Sequence, residues 1–140
     1  LSSALKSLSR ALRAEFIEPH CAYCRSPEKL LGIHLEVDHI IPESEGGETQ
    51  LDNLCLCCRS CNGFKWNRIS GRDPETGKRV RLFHPRRQKR EAHFERSKDR
   101  LYIVGLTASG RATVEILRMN NDLIVNLRRL WVILGLHPTV

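Results

Sequence analysis

The sequence predicts a small α+β protein, and three observations predict it. Residues 33–40 (IHLEVDHI) alternate in the manner of a strand, and residues 3–17 place Leu5, Leu8, Leu12 and Phe16 at helical spacing. Two Cys-x-x-Cys pairs, Cys21/Cys24 and Cys58/Cys61, bracket the alternating segment. With 140 residues the chain can bury only a modest core, so a crosslink or a bound metal weighs more than in a larger protein. A net charge of +7 with 41% hydrophobic residues excludes wholesale disorder and favours a polyanionic partner. No apolar run approaches the roughly 20 residues of a membrane span, and a membrane partner is not expected. Lys6, Arg10 and Arg13 interrupt the N-terminal leucines, so no secretory signal is expected and the location is read as cytoplasmic.

Taken in order, the first helix has Ser2 or Ser3 as its cap. After the 33–40 strand comes a polar loop, ESEGGETQ, in which Gly46-Gly47 marks a bend. Residues 51–56 return to apolar structure, and the second cysteine pair opens a helix running to about Trp66. Residues 71–78 (GRDPETGK) are turn material, and 101–106 read as a strand. Two helices follow, at about 108–119 and 122–134. The second carries Leu123, Leu127, Leu130, Trp131 and Leu134 at core spacing and is stopped by Gly135 and Pro138. The expected organisation is a core at 1–70, a basic connecting segment at 71–100, and a C-terminal strand with helices at 101–140 whose role the sequence does not assign.

Without an export signal the compartment is reducing, which weakens a disulfide reading of the six cysteines. Two Cys-x-x-Cys knuckles supply four thiolates, the donor set of a closed tetrahedral zinc site with no position left for water. Cys21, Cys24, Cys58 and Cys61 are the expected ligands of a structural zinc. Cys55 and Cys57 exceed four ligands and read as core, although Cys57 could replace Cys58 at the cost of the two-residue spacing.

Between and after the pairs stand Asp38-His39 with Pro42, Gly47, Asn53-Leu54, and Cys58-x-x-Cys61-Asn62-x-x-Lys65. In this order and at these intervals, residues 21–65 resemble the HNH endonucleases, whose ββα-metal motif folds two strands and a helix around one divalent ion. Residues 73–139 also resemble the tail of some stand-alone bacterial HNH proteins (DPETG, LFHPR, GRATVE, GLHP), a likeness that brings no known role. The resemblance implies a DNA endonuclease in which His39 is the general base. It implies Asp38 and Asn62 as ligands of a magnesium or manganese ion, and Asn53 as the residue orienting the His39 ring. The chemistry agrees, because phosphodiester hydrolysis needs a base to activate water and a cation near the phosphate. An imidazole with an ordinary pKa near 6.5 can be that base. Carboxylate and amide oxygens favour hard ions. His34 and Glu36 alternate with Asp38 and could join the site, while His20, His84, His93 and His137 are assigned nothing.

Between Lys65 and Arg100 there are 13 basic and 5 acidic residues, a net +8, so the whole basic excess sits in one segment. Lys65, Arg68, Arg86, Arg87, Lys89 and Arg90 are expected to contact phosphate, which supplies sequence-independent affinity. One such site cuts one strand, so a double-strand break needs a homodimer or two encounters. Two rival readings keep the same fold: a zinc-stabilised DNA-binding module without catalysis, and a catalytic subunit targeted by a larger assembly.

Overall fold

The computed structural model describes residues 2–138. It separates into two compact units, Leu1–Ile69 with His84–Gln88, and Ser70–Phe83 with Lys89–Val140. Residues 71–100, expected as a connector, are thus divided: 84–88 return to the first unit and the remainder builds the second.

In the first unit, helix α1 (Ser3–Ala14) is capped by Ser2, whose Oγ accepts the Leu5 N–H at 3.1 Å. Its apolar stripe closes on Leu12, which is fully buried. A single helical turn, α2 (Glu28–Leu31), ends at Gly32, whose φ of 72° suits a residue without Cβ. Strands β1 (Glu36–His39) and β2 (Leu54–Cys57) pair antiparallel, with Glu36 opposite Cys57 and Asp38 opposite Cys55. Every β2 residue is buried. Helix α3 (Arg59–Lys65) follows at once, with Cys58 at its cap, and Trp66 ends it at a positive φ of 48°. Strand–strand–helix is the order the resemblance implies.

The returning segment is fastened by Arg86. Its Nε donates to the Leu54 carbonyl at 2.7 Å, and its Nη2 reaches both oxygens of Glu15 at 2.8 Å. A second bolt joins α1 to α2. Arg13 grips Glu28 with two bonds of 2.8 and 2.6 Å, and Glu28 also accepts the Leu35 N–H at 2.7 Å, just before β1.

The second unit contains two hairpins and two helices: β3 (Ser70–Arg72) with β4 (Arg79–Arg81), a short α4 (Arg90–His93), β5 (Phe94–Arg96) with β6 (Ile103–Gly105), then α5 (Ala108–Ile116) and α6 (Asp122–Ile133). Strands of three residues are too short to show alternation, which is why only β6 was foreseen. The tail motifs DPETG and GRATVE help build this unit, whereas LFHPR is divided between the two. Asp73 of DPETG is fully buried and takes Thr76, the Glu75 N–H and two bonds from Arg111 of GRATVE. Gly110 packs so closely on the His93 carbonyl that any Cβ would overlap it. Buried Thr113 accepts the Phe83 N–H at 2.8 Å, and the Phe83 ring stands edge-on to Phe94.

Helix α6 corrects one expectation. Trp131 is core, but Leu123 is 79% and Leu130 55% exposed, and Leu134 also faces outward. The buried face is instead Val125, Arg128 and Trp131, roughly 130° round the helix from the leucine row. Arg128 selects it, because its guanidinium finds the carbonyls of Leu101 and Met119 and the Asn120 amide oxygen at 2.6–3.0 Å. Among the described residues no helix is long and apolar enough to cross a membrane.

The Arg13 guanidinium holds the Glu28 carboxyl down at about 2. A carboxyl lowered on folding contributes stability above its unfolded pKa, near 4.5, and loses that contribution as pH falls toward 2. Arg13→Ala should therefore cost about 1–2 kcal/mol at neutral pH, and the deficit should shrink on acidification. Denaturation at pH 7 and pH 3 measures this; a deficit of equal size at both values would contradict the ion pair.

Candidate active site and zinc centre

The four sulfurs of Cys21, Cys24, Cys58 and Cys61 all lie within 4.8 Å of one another and are buried. Cys24 Sγ and Cys58 Sγ are 3.7 Å apart. Zinc–sulfur bonds of about 2.3 Å at tetrahedral angles put sulfurs about 3.8 Å apart, so the cluster fits zinc. The alternative ligand Cys57 drops out: it is buried on β2, and the clustered residue is Cys58. Charge tells the same story. Burial alone would raise the Cys21 thiol, but hydrogen bonds from Cys24, Cys57, Cys58 and Cys61 carry it well below its ordinary value. Beside that charge Cys58 and Cys61 are pushed up. Four thiols can ionise together only around a cation. Cys58 Sγ also caps α3, accepting the Cys61 N–H at 3.3 Å, where the helix N-terminus favours a thiolate.

The knuckle reaches directly into the next layer. Tyr23, between the first two cysteines, is buried and donates its hydroxyl to Asp38 Oδ2 at 2.9 Å. Lys65 reaches Asp38 Oδ1 at 3.2 Å and the His39 carbonyl at 3.1 Å. Asp38 is 4% and Lys65 2% exposed. Burial pushes the Asp38 carboxyl up, and the Lys65 ammonium opposes it. Lys65, expected at a phosphate, is thus an internal counter-ion. Its position follows from the helix: four residues after Cys61, it projects over the same face, toward the strands.

Glu36 and Asp38 alternate onto one face of β1, and α3 lies across it. Asn62 donates its amide to Glu36 Oε1 at 2.8 Å, at the exposed end of that face. Glu36 and Asn62 thus meet at the exposed end of this face, while Asp38 is buried between Tyr23 and Lys65. Carboxylate and amide oxygens are of the donor type that suits magnesium or manganese. Of the two further candidates, Glu36 joins this face, while His34 lies 3.5 Å from Glu28.

His39 ends β1, its ring 20% exposed. Its Nε2 meets Thr49 Oγ1 at 2.9 Å, with Glu43 3.8 Å away. Asn53, expected to orient this ring, instead holds the loop behind it. Its Oδ1 accepts the Ile41 N–H, and its Nδ2 donates to the Ile41 and Glu48 carbonyls, all at 2.9 Å. Gly47 lies so close to the Ile41 carbonyl that any side chain would overlap it. Thr49 is the contact that sequence reasoning missed; one hydroxyl in a polar loop carries no signal.

The remaining basic candidates separate. Arg86 is spent on Glu15 and Leu54, and Arg90 lies 4.8 Å over the Phe94 ring. Arg68, Arg87 and Lys89 are exposed.

Cys58→Ser should lower the zinc content measured by atomic spectroscopy and unfold the first unit, because metal binding at such a site is folding free energy. An unchanged melting temperature would refute a structural zinc. Lys65→Met strands a buried carboxylate and should cost about 3–5 kcal/mol in urea denaturation. Asp38→Asn combined with Lys65→Met should recover much of it; a loss under about 1 kcal/mol for Lys65→Met alone would contradict the counter-ion role.

Comparison with curated proteins and with solved structures gave no match. The family model for HNH endonuclease matches residues 21–68, the stretch that holds the cysteine cluster, β1, β2 and α3. Residues 21–68, about a third of the chain, therefore form an HNH endonuclease domain.

Proposed function

We propose that this protein is a metal-dependent endonuclease that hydrolyses DNA phosphodiester bonds, with His39 as general base. The observation that carries the reading is the match of residues 21–68 to the HNH endonuclease family model, with the part-exposed His39 ring anchored by Thr49 at the end of β1. His39 accepts a proton from a water molecule, whose oxygen attacks phosphorus as the bond to the 3′ oxygen breaks. By family resemblance the products carry a 5′ phosphate and a 3′ hydroxyl. Asp38 and Asn62 would hold the magnesium or manganese ion, which supplies positive charge at the phosphate and the departing oxygen. Lys65 opposes the burial that raises the Asp38 carboxyl, and Asn53 with Gly47 fixes the loop that follows the base. Glu36 accepts from the Asn62 amide nitrogen, which leaves that side chain's carbonyl oxygen to serve the ion. Arg68, Arg87 and Lys89, all exposed, are the cations that would contact phosphate.

One site severs one strand, so the isolated chain is a nicking enzyme by default. A second copy could pack on the outward row of α6. Its exposed Leu123, Leu130 and Ile133, with Leu134 just beyond the helix, give four apolar side chains, far short of the roughly 20–30 residues per partner in a stable interface. Such pairing would be transient, and nicks would precede linear product.

A supercoiled plasmid with added magnesium or manganese tests the reading. The expected result is nicked circles first, with His39→Ala lowering the rate by about 10²–10⁴ at unchanged zinc content and DNA affinity. Wild-type protein that binds but never cuts would instead support the non-catalytic module, and full cleavage by His39→Ala would remove the base from the mechanism.

A further inference from the structure

The strongest feature left unused by the catalytic reading is the outer face of the β3–β4 hairpin. Its register sets Arg72 opposite Arg79 and Ser70 opposite Arg81. Side chains directly across an antiparallel pair share a face, so three exposed arginines and one serine form one side of this ribbon. The other side is Gly71 and Val80. Gly71 is buried against α5, where a Cβ would stand 2.6 Å from Ile116 Cγ1. The ribbon therefore cannot present its arginines inward, because a one-residue slip would bury them.

Nothing in the fold explains this face. Like charges directly opposite each other destabilise a hairpin, yet Arg72 and Arg79 are so placed, with exposed Lys78 beside them. Their bonds are to neutral groups: Arg72 to the Gly77 carbonyl at 2.8 Å, and Arg79 to Ser70 Oγ at 3.2 Å. The two acids of the connecting turn, Asp73 and Glu75, are both engaged by Arg111. Among the described residues, no carboxylate forms an ion pair with Arg72, Lys78, Arg79 or Arg81. Arg72, Lys78, Arg79 and Arg81 thus sit on or beside this ribbon as cations without a carboxylate partner of their own. With Arg111, Asp73 and Glu75 counted, five cations against two acids still leave a net charge of +3. The face carries no apolar side chain to insert into lipid, and a two-stranded ribbon matches the width of a DNA groove.

The geometry points to the Arg72–Arg79–Arg81 face as a DNA backbone-binding surface, gripping phosphates without reading sequence. This rests on the nuclease reading and extends it to a part of the chain outside the HNH domain.

The test is fluorescence anisotropy of a 30-base-pair duplex against sodium chloride, with the full chain and its Arg72→Gln/Arg79→Gln/Arg81→Gln variant. Each lost phosphate contact lowers the salt slope by about 0.9. The variant should therefore lose about 2–3 in slope and bind at least about tenfold more weakly near 0.1 M salt. The corresponding triple lysine variant should restore most of the slope. Hydrolysis of bis(p-nitrophenyl) phosphate with manganese, which needs no backbone grip, should be unchanged. An unaltered slope in the glutamine variant, alongside wild-type plasmid cleavage, overturns the hairpin proposal and leaves the nuclease reading standing. Wild-type protein that neither binds the duplex nor hydrolyses either substrate overturns both. Binding to phosphatidylserine vesicles that the glutamine variant loses, while its DNA slope holds, assigns the face to lipid and also overturns the proposal.

Discussion

Four sulfurs gathered at the start of a seven-residue helix are the constraint on which the first unit depends. A helix that short is far below the roughly 12–15 residues needed for marginal stability in isolation. Strands β1 and β2 have four residues each and pair only with one another, an arrangement that is marginal on its own. Neither element could hold its place through propensity. The cysteine cluster supplies the missing constraint, because it ties the loop at 21–24 to the first turn of α3. Structural zinc is worth about 10–16 kcal/mol in small domains, more than the net stability of many proteins of this size.

The same cluster also sets the surroundings of Asp38. Tyr23 stands within the first knuckle and grips Asp38, while Lys65 comes from the helix that begins at the second. Asp38 is therefore held from both sides of the metal centre. Asn62 follows Cys61 immediately, so the residue that meets Glu36 cannot move independently of a zinc ligand. A displacement of α3 would shift Lys65 and Asn62 together against a strand that keeps its register with β2. In this architecture the cysteine cluster fixes the strand–helix face that holds Asp38, Asn62 and Lys65.

What the sequence made legible was local. Cysteine spacing and the helix after Cys58 are patterns within a few residues, and both appear in the fold as expected. Tertiary choices were not legible. Periodicity identified α6 as amphipathic but could not say that Arg128, with three acceptors waiting, would bury its own side and leave the leucines outside. Likewise Asn53 looked like a partner for a ring, whereas three backbone groups of the neighbouring loop claim its amide. Burial of Lys65 contradicts the general expectation for lysine and depends on a carboxylate 27 positions away.

Charge shows the same limit most clearly. Counting cations along the chain located a net +8 between Lys65 and Arg100, but a count does not distinguish a phosphate contact from an internal bond. Lys65, Arg86 and Arg90 are drawn to Asp38, to Glu15 with Leu54, and to the Phe94 ring. The acids matter as much as the bases. Arg111 lies outside the basic segment, yet by engaging Asp73 and Glu75 it removes the only carboxylates of the 73–78 turn from the arginines that flank it. The exposed positive field of the hairpin is thus preserved by Arg111, which draws the turn's carboxylates to itself, and the tail motifs DPETG and GRATVE, which supply these groups, shape the charge of a surface to which they contribute no arginine.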